Sequence, residues 1–280
     1  MKKTIRILRR KSREDKPYYE AFPFETEDEW ATVATALMQI SRTSDLTWEH
    51  SCLQKKCGAC AMVIDGMPKL ACDTRLSECK GETVVVEPLR KFPVVRDLLV
   101  DRSAVTERLD ALRVYPDAKR LTDAHIDEES CGHAEGIDAK TAPGQTEHSD
   151  AKVVSGQTER SDAKVASGQT ERSDAKTVRQ IRREERRDET AYEASKCIQC
   201  GLCLEVCPNY YREGIFAGMA GMAPMARLLA GDDSKHLRKA YQKSVYEGCG
   251  KSLACRDVCP AGLDMDRLLS RSNRKAIFGF

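Results

Sequence analysis

The sequence has no excess of charge and no long apolar stretch. Lys plus Arg is 46 against 44 for Asp plus Glu, a net charge of +2. The overall basic excess of a nucleic-acid-binding chain is therefore missing. Nowhere do about 20 apolar residues run together, so no segment has the length and character of a transmembrane helix. The start, Met1 to Ile7, alternates like a strand and lacks the apolar centre of an export signal. Aromatic residues are few, at 6%, and there are none from Pro116 to Ala191. No Ser/His/Asp or paired-carboxylate arrangement stands out as a catalytic site. His125, His133 and His148 fall in the polar middle of the chain, while His50 and His236 are isolated. Gly250-Lys251-Ser252 resembles the end of a phosphate-binding loop, but Val245 occupies the position of its first glycine. These absences predict a soluble cytosolic chain that carries no hydrolytic, nucleotide-binding or nucleic-acid-binding machinery.

What the sequence does have is cysteine. Thirteen is an odd number, and without an export signal it argues against a disulfide framework, because a reducing compartment leaves thiols free for metals. The 280 residues predict about two domains. In the first hundred, Ile5, Ile7 and Leu8 lie in a strand-like start and Tyr18 to Phe24 makes a second strand. Val33, Leu37 and Ile40 recur at helical spacing; Met62-Val63-Ile64 reaches a turn at Asp65-Gly66, and Val84-Val85-Val86 ends at Pro88. The expectation is a small mixed sheet with a packed helix.

A twelve-residue period then appears. Ser155 to Lys164 recurs as Ser167 to Lys176, and a decayed copy runs from Pro143 to Lys152. Each unit offers only a valine or two, too little apolar surface to offset the entropy of ordering it, so residues 116–189 are expected to be a flexible, solvated insert. Its end, Val178 to Glu189, mixes Arg and Glu at helical spacing and is expected to lead into the next domain as a helix. In residues 190–280, Leu228, Leu229, Leu237, Tyr241, Val245, Leu268 and Leu269 recur at helical intervals, which predicts a mainly helical domain.

The cysteine spacing selects the metal. Cys52-x4-Cys57-x2-Cys60 is the plant-type [2Fe–2S] pattern, and Cys72 supplies the fourth thiolate. Gly58 and Ala59 permit the backbone to approach the cluster closely. A zinc site would prefer paired C-x2-C hooks. Cys197-x2-Cys200-x2-Cys203-x3-Cys207-Pro208 is the bacterial ferredoxin run, whose fourth cysteine serves the other cluster. Cys249-x5-Cys255-x3-Cys259-Pro260 provides the complement. Cys259 is then expected to complete a [4Fe–4S] cluster on Cys197, Cys200 and Cys203, and Cys207 to join Cys249 and Cys255. Ser252 stands where a second thiolate would be, and a serine oxygen is a harder and far less acidic ligand, so this last site is expected to hold [3Fe–4S]. Cys79 and Cys131 are left as ordinary thiols.

These motifs resemble the iron–sulfur subunit of succinate dehydrogenase and fumarate reductase. The matching pieces are Ser51 to Cys60 with Cys72, Lys91-Phe92-Pro93-Val94-Val95-Arg96-Asp97-Leu98, Cys197 to Pro208, and Cys249 to Pro260. The resemblance covers residues 1 to about 115 and about 190 to 270. It implies an α+β chain: a β-grasp [2Fe–2S] domain at 1–115, then an all-α, bacterial-ferredoxin-like domain with [4Fe–4S] and [3Fe–4S] clusters at 190–280. The partners it implies are an FAD-containing flavoprotein and a membrane cytochrome b anchor, which would hold the chain peripherally at the cytoplasmic face of the plasma membrane. The expected role is to pass single electrons between flavin and quinone, with no dicarboxylate chemistry in this chain.

Three places depart from the family pattern. The common C-R-E-G-x-C is Cys52-Leu53-Gln54-Lys55-Lys56-Cys57 here, and F-x-G-P-A-A appears as Phe216-Ala217-Gly218-Met219-Ala220-Gly221. The position of Ser252 is commonly apolar in the family. In ubiquinone-linked members a histidine often follows the Cys249 equivalent, and aromatics including Trp follow the first Cys-Pro. Here Gly250 and Asn209-Tyr210-Tyr211-Arg212 stand there, which looks more like the menaquinone-linked type of Gram-positive bacteria. Pro208, Tyr211, Gly250 and Ser252 are the residues expected nearest the quinone. Two other classes fit parts of the pattern. One is an electron-transfer subunit of a glycerol-3-phosphate or glycolate type oxidoreductase, which the plant-type site argues against; the other is a non-redox zinc scaffold.

Overall fold

The computed structural model describes residues 1–112, 114, 170–231 and 234–279. Met1–Tyr115 and Arg182–Phe280 form one compact unit, and Pro116–Ile181 is a separate one. The repeat copies at 143–152 and 155–164, with Cys131, lie outside the described residues.

The amino-terminal part is built on a five-stranded mixed sheet. Strand β1 (Lys2–Arg9) pairs antiparallel with β2 (Tyr18–Glu25) and parallel with β5 (Thr83–Glu87); β3 (Ala61–Ile64) pairs with β5 and with β4 (Met67–Leu70), giving the order β2-β1-β5-β3-β4. Alternation in β1 buries Ile5 and Ile7 completely, and Val84 and Val86 of β5 lie beside them. The Asp65-Gly66 turn joins β3 to β4 with both residues at positive φ, 48° and 78°, the geometry of a two-residue hairpin turn. Asp65 Oδ1 also accepts the Val85 N–H at 2.8 Å, pinning the turn to β5.

Helix α1 (Val33–Thr43) covers the sheet. Thr32 and Thr35 close a capping box at its start, and Val33, Ala34, Ala36, Leu37 and Ile40 are buried. Trp30 lies before the helix and is 66% exposed, with the Arg75 guanidinium 4.1 Å from its ring. The sequence patterning did not foresee β4, the hairpin of β6 (Val94–Arg96) and β7 (Leu99–Val100), or helix α2 (Ser103–Ala111). Short strands and a helix burying only Leu109 leave little periodicity to read.

A buried ion pair holds the approach to the first cysteine loop. Arg9 is 2% exposed and Asp97 fully buried; Arg9 Nε donates to Asp97 Oδ1 at 3.0 Å and Nη2 to Oδ2 at 3.2 Å. Asp97 also accepts the backbone N–H groups of Arg10 at 3.1 Å and Thr47 at 3.0 Å. Four donors on one carboxylate satisfy the charge and tie β1 and the β6–β7 hairpin to residues 44–48. Losing Arg9 alone would strand that carboxylate in the interior, at a cost of about 3–5 kcal/mol.

Among the described residues the helical segments that follow are α3 (Thr170–Ser195), α4 (Leu202–Val206), α5 (Gly218–Gly231), α6 (Lys235–Tyr241), a π-helical turn at Gln242–Tyr246, α7 (Ala254–Asp257) and α8 (Met265–Phe278). Helix α3 begins at Thr170, inside the last repeat copy and earlier than the sequence predicts. Glu171, Arg172, Ala175 and Lys176 are strong helix formers, so a helix there needs no apolar face to start. Its far end is fastened by Arg271, which donates to Glu189 and Thr190 at 3.0 Å each. Leu229, Leu237, Tyr241, Val245, Leu268 and Leu269 are buried in one helical core, as their spacing predicts. By contrast, Leu202 and Leu204 of α4 join the core beneath the sheet.

Candidate iron–sulfur sites

The first candidate site is the loop Ser51–Cys60 with Cys72, which follows β4 in a short 3-10 turn at Ala71–Asp73. Leu53, Lys55 and Gly58 take positive φ, 52°, 62° and 74°, which turns successive backbone N–H groups inward. The N–H groups of Gln54, Lys56 and Cys57 point at Cys52 Sγ at 3.3 Å each, and that of Lys55 at Cys72 Sγ at 3.3 Å. The Gln54 N–H, with the Cys57 thiol and the Lys56 N–H, brings the Cys52 thiol down to about 7. Burial, with Cys72 and Cys57 close by, pushes Cys60 up to about 12. A nest of N–H donors around crowded thiols fits an anionic cluster. Arg102, from the start of α2, donates to the Gly58 and Ala59 carbonyls at 3.3 and 3.1 Å and braces the loop from behind.

The second and third candidate sites share the helical part. Burial raises Cys203 well above its ordinary value, and the nearby Cys200, Cys197, Cys255 and Cys259 add to it. Burial, with Cys197 and Cys259 adjacent, lifts Cys200 to about 11. Burial likewise lifts Cys255 to about 11, here with Cys207 and Cys249 as its thiol neighbours. The structure therefore brings Cys197, Cys200, Cys203 and Cys259 together, and Cys207, Cys249 and Cys255 beside them. Buried thiols that raise one another's pKa suit a cationic iron–sulfide core, which relieves their mutual repulsion when they ionise. Among the described residues no three cysteine, histidine or carboxylate side chains converge on the point one metal ion would occupy. Thiolates of a sulfide-bridged cluster stand farther apart than those about 2.3 Å from a single zinc.

Cys207, Cys249 and Cys255 line one cavity together with Pro208, Gly250 and Ser252. Tyr211 is outside that lining; it is 66% exposed and stands under the Lys91 ammonium, 5.9 Å from its ring. Cys79 is buried, and its thiol donates to the Arg75 carbonyl at 3.5 Å. His50 stacks on Trp48 at 4.3 Å.

The two parts are locked through these loops. Glu205 accepts the Arg90 and Lys91 backbone N–H groups at 3.0 Å each, and Lys91 Nζ reaches the carbonyls of Cys207 and Tyr210. Lys91 belongs to the Lys-Phe-Pro stretch of the family resemblance, so that motif serves as a clamp on the Cys207 turn. Sequence reasoning missed Arg102 and Gln199, whose side chain touches Cys197 Sγ at 3.3 Å. Neither belongs to a periodic pattern or a metal-ligand spacing.

Comparison with known proteins agrees with this geometry. Residues 4–107 match the 2Fe-2S iron-sulfur cluster binding domain family, and residues 193–263 the 4Fe-4S dicluster domain family. The succinate dehydrogenase iron-sulfur subunit of Bacillus subtilis is 29% identical over 97% of this chain and 92% of its own length. The fumarate reductase iron-sulfur subunit of Haemophilus influenzae is 31% identical over 78% of this chain and 70% of its own. A chain of the Mycobacterium smegmatis Sdh1 complex in the apo form shares the fold, with a TM-score of 0.61 at 23% identity, over 99% of this chain and 96% of that one. With its mixed-sheet [2Fe–2S] domain and its helical [4Fe–4S] region, the chain belongs to the family of succinate dehydrogenase and fumarate reductase iron–sulfur subunits.

Proposed function

We propose that this chain is the iron–sulfur electron-transfer subunit of a succinate dehydrogenase or fumarate reductase complex, linking the flavin of a flavoprotein partner to a membrane quinone. The observation that carries the reading is the contact between the first two ligand loops. A Cβ placed on Gly58 would lie 2.6 Å from Cys200 Cβ, so only a glycine lets the loops touch. Loops this close favour rapid passage of charge from one site to the next.

In this reading Cys52, Cys57, Cys60 and Cys72 hold [2Fe–2S], and Cys197, Cys200, Cys203 and Cys259 hold [4Fe–4S]. Cys207, Cys249 and Cys255 hold [3Fe–4S]. When bound, the clusters supply one-electron carriers whose potentials depend on cluster type, hydrogen bonds to sulfur and exposure. The three-iron assignment is supported by the backbone: Lys251 and Leu253 have φ of 54° and 58°, at the same offsets from Cys249 as Gln199 and Gly201, at 54° and 83°, from Cys197. Ser252 thus occupies the Cys200 position of a matching turn.

The sheet order supports a β-grasp domain at 1–115, followed by an insert at 116–189 and a bacterial-ferredoxin-like domain at 190–280. Among the described residues no helix is long and apolar enough to cross a membrane. Attachment at the cytoplasmic face is therefore assigned to a cytochrome b partner, next to the exposed Tyr211 and Ile215, 66% and 62% accessible. Pro208, Tyr211, Gly250 and Ser252 form the quinone-facing edge. Menaquinone is the favoured quinone, because Gly250 and Asn209-Tyr210-Tyr211-Arg212 stand where the ubiquinone type commonly has a histidine and aromatics including Trp.

Detergent extraction tests this function. The chain should co-purify with a haem-containing membrane subunit and a larger flavoprotein, brown in colour and rich in iron and sulfide. A colourless, zinc-loaded protein, or an active succinate:quinone enzyme lacking either partner, would contradict it.

A further inference from the structure

We propose that the Gln199 side chain raises the reduction potential of the four-iron cluster through a hydrogen bond to Cys197, and that the proline in α5 makes this bond possible. The proposal rests on the assignment of Cys197 to that cluster.

Gln199 Nε2 donates to Cys197 Sγ at 3.3 Å and to the Ala220 carbonyl at 3.0 Å. In an uninterrupted helix the Ala220 carbonyl would accept the N–H of residue 224. Residue 224 is Pro224, inside α5, and it has no N–H. The Gln199 amide takes the vacated place. Two acceptors fix which end of the amide faces them, so its second N–H is held toward the ligand sulfur.

The price of this arrangement is visible at the other end of the amide. Gln199 Oε1 is buried with no hydrogen-bond partner, a defect that costs about 1–3 kcal/mol. Gln199 also sits at φ 54°, where an L side chain is disfavoured. A residue selected only for packing would avoid both. An N–H aimed at a ligand sulfur stabilises the added negative charge of the reduced cluster and raises its potential. The equivalent position in the other run is Lys251, which is exposed.

The test is a redox titration of the intact complex followed by electron paramagnetic resonance. Gln199→Leu should lower the four-iron midpoint by about a tenfold change in the reduced-to-oxidised ratio, about 59 mV for one electron. The other two midpoints should stay where they are. Pro224→Ala returns a backbone donor to Ala220 and loosens the Gln199 amide, so it should shift the same midpoint the same way by less. The double variant should match Gln199→Leu alone, because both act through one bond. A four-iron midpoint unmoved in Gln199→Leu at full iron content, or additive shifts in the double variant, would overturn the proposal. If Gln199→Leu fails to hold iron, the unmodified complex decides: side-chain 15N-glutamine should show electron–nuclear coupling to the reduced four-iron centre, and its absence would overturn the proposal. An unmodified complex with no reducible four-iron signal would instead overturn the ligand assignment and this proposal with it.

Discussion

The two cysteine runs of the helical part have the same turn and different contents. After Cys197 and after Cys249 the backbone enters the left-handed region at the second and fourth residues, and a short helix follows, Leu202–Val206 in one case and Ala254–Asp257 in the other. Within that shared frame the first run carries Gln199, Cys200 and Gly201, and the second Lys251, Ser252 and Leu253. Cys200 is buried against Gly58, whereas Ser252 is exposed at the lip of a cavity. The difference teaches that the fold specifies the loop and the side chains specify the cluster. A buried cysteine at this position belongs to the first run, where Cys200 meets Gly58. The poorer ligand and the open edge belong to the second run at Ser252, although its far end, at Val258, also packs into the core beneath the sheet.

Ser252→Cys should erase the distinction and have the largest effect. With a fourth thiolate in an already suitable turn, the three-iron signal should give way to a four-iron signal of lower potential, and quinone-linked activity should fall more than tenfold. Spectra and turnover of the purified complex check both. The reciprocal Cys200→Ser should leave the first run short of a ligand. Its four-iron signal should be lost or converted to a three-iron one, while the [2Fe–2S] signal survives.

Gly58→Ala probes the contact that the first run makes at Cys200. The residue is at φ 74°, and its new Cβ would meet both the Cβ and Cα of Cys200 below 3.0 Å. A left-handed alanine costs about 1–2 kcal/mol before the clash is counted, so thermal unfolding of the complex should shift down by several degrees. The spectra of the Cys207, Cys249 and Cys255 site should not change. The smallest effect is expected from removing residues 143–169, which include no part of either run in the sequence. Iron content and electron transfer should stay within error of the full chain, because loop-closure entropy depends only weakly on length.

The sequence made the cysteines legible because thiolate spacing is a local property: the span from Cys52 to Cys60 and from Cys197 to Cys207 can be read without knowing the fold. Strand alternation at Ile5 and Ile7 and helical recurrence from Leu229 to Leu269 were readable for the same reason. Contacts that join distant segments left no such trace. Arg9 and Asp97 are 88 positions apart, and nothing near either residue marks them as a buried pair. Leu202 and Leu204 pack beneath the sheet, because Glu205 and Lys91 draw that short helix toward the first domain. Gln199 lies between ligands with no spacing or periodicity that marks it. Its role depends on Ala220 and on a missing N–H at Pro224, 25 positions away in sequence.

The central claim is that one helical run holds a complete four-iron ligand set and the other a three-iron set. Electron paramagnetic resonance of the unmodified complex, first fully oxidised and then reduced stepwise, tests it most directly. The account predicts a three-iron signal in the oxidised protein that disappears first on reduction, with separate [2Fe–2S] and [4Fe–4S] signals growing in at lower potential. Two reducible four-iron signals, with no three-iron signal in the oxidised protein, would contradict it.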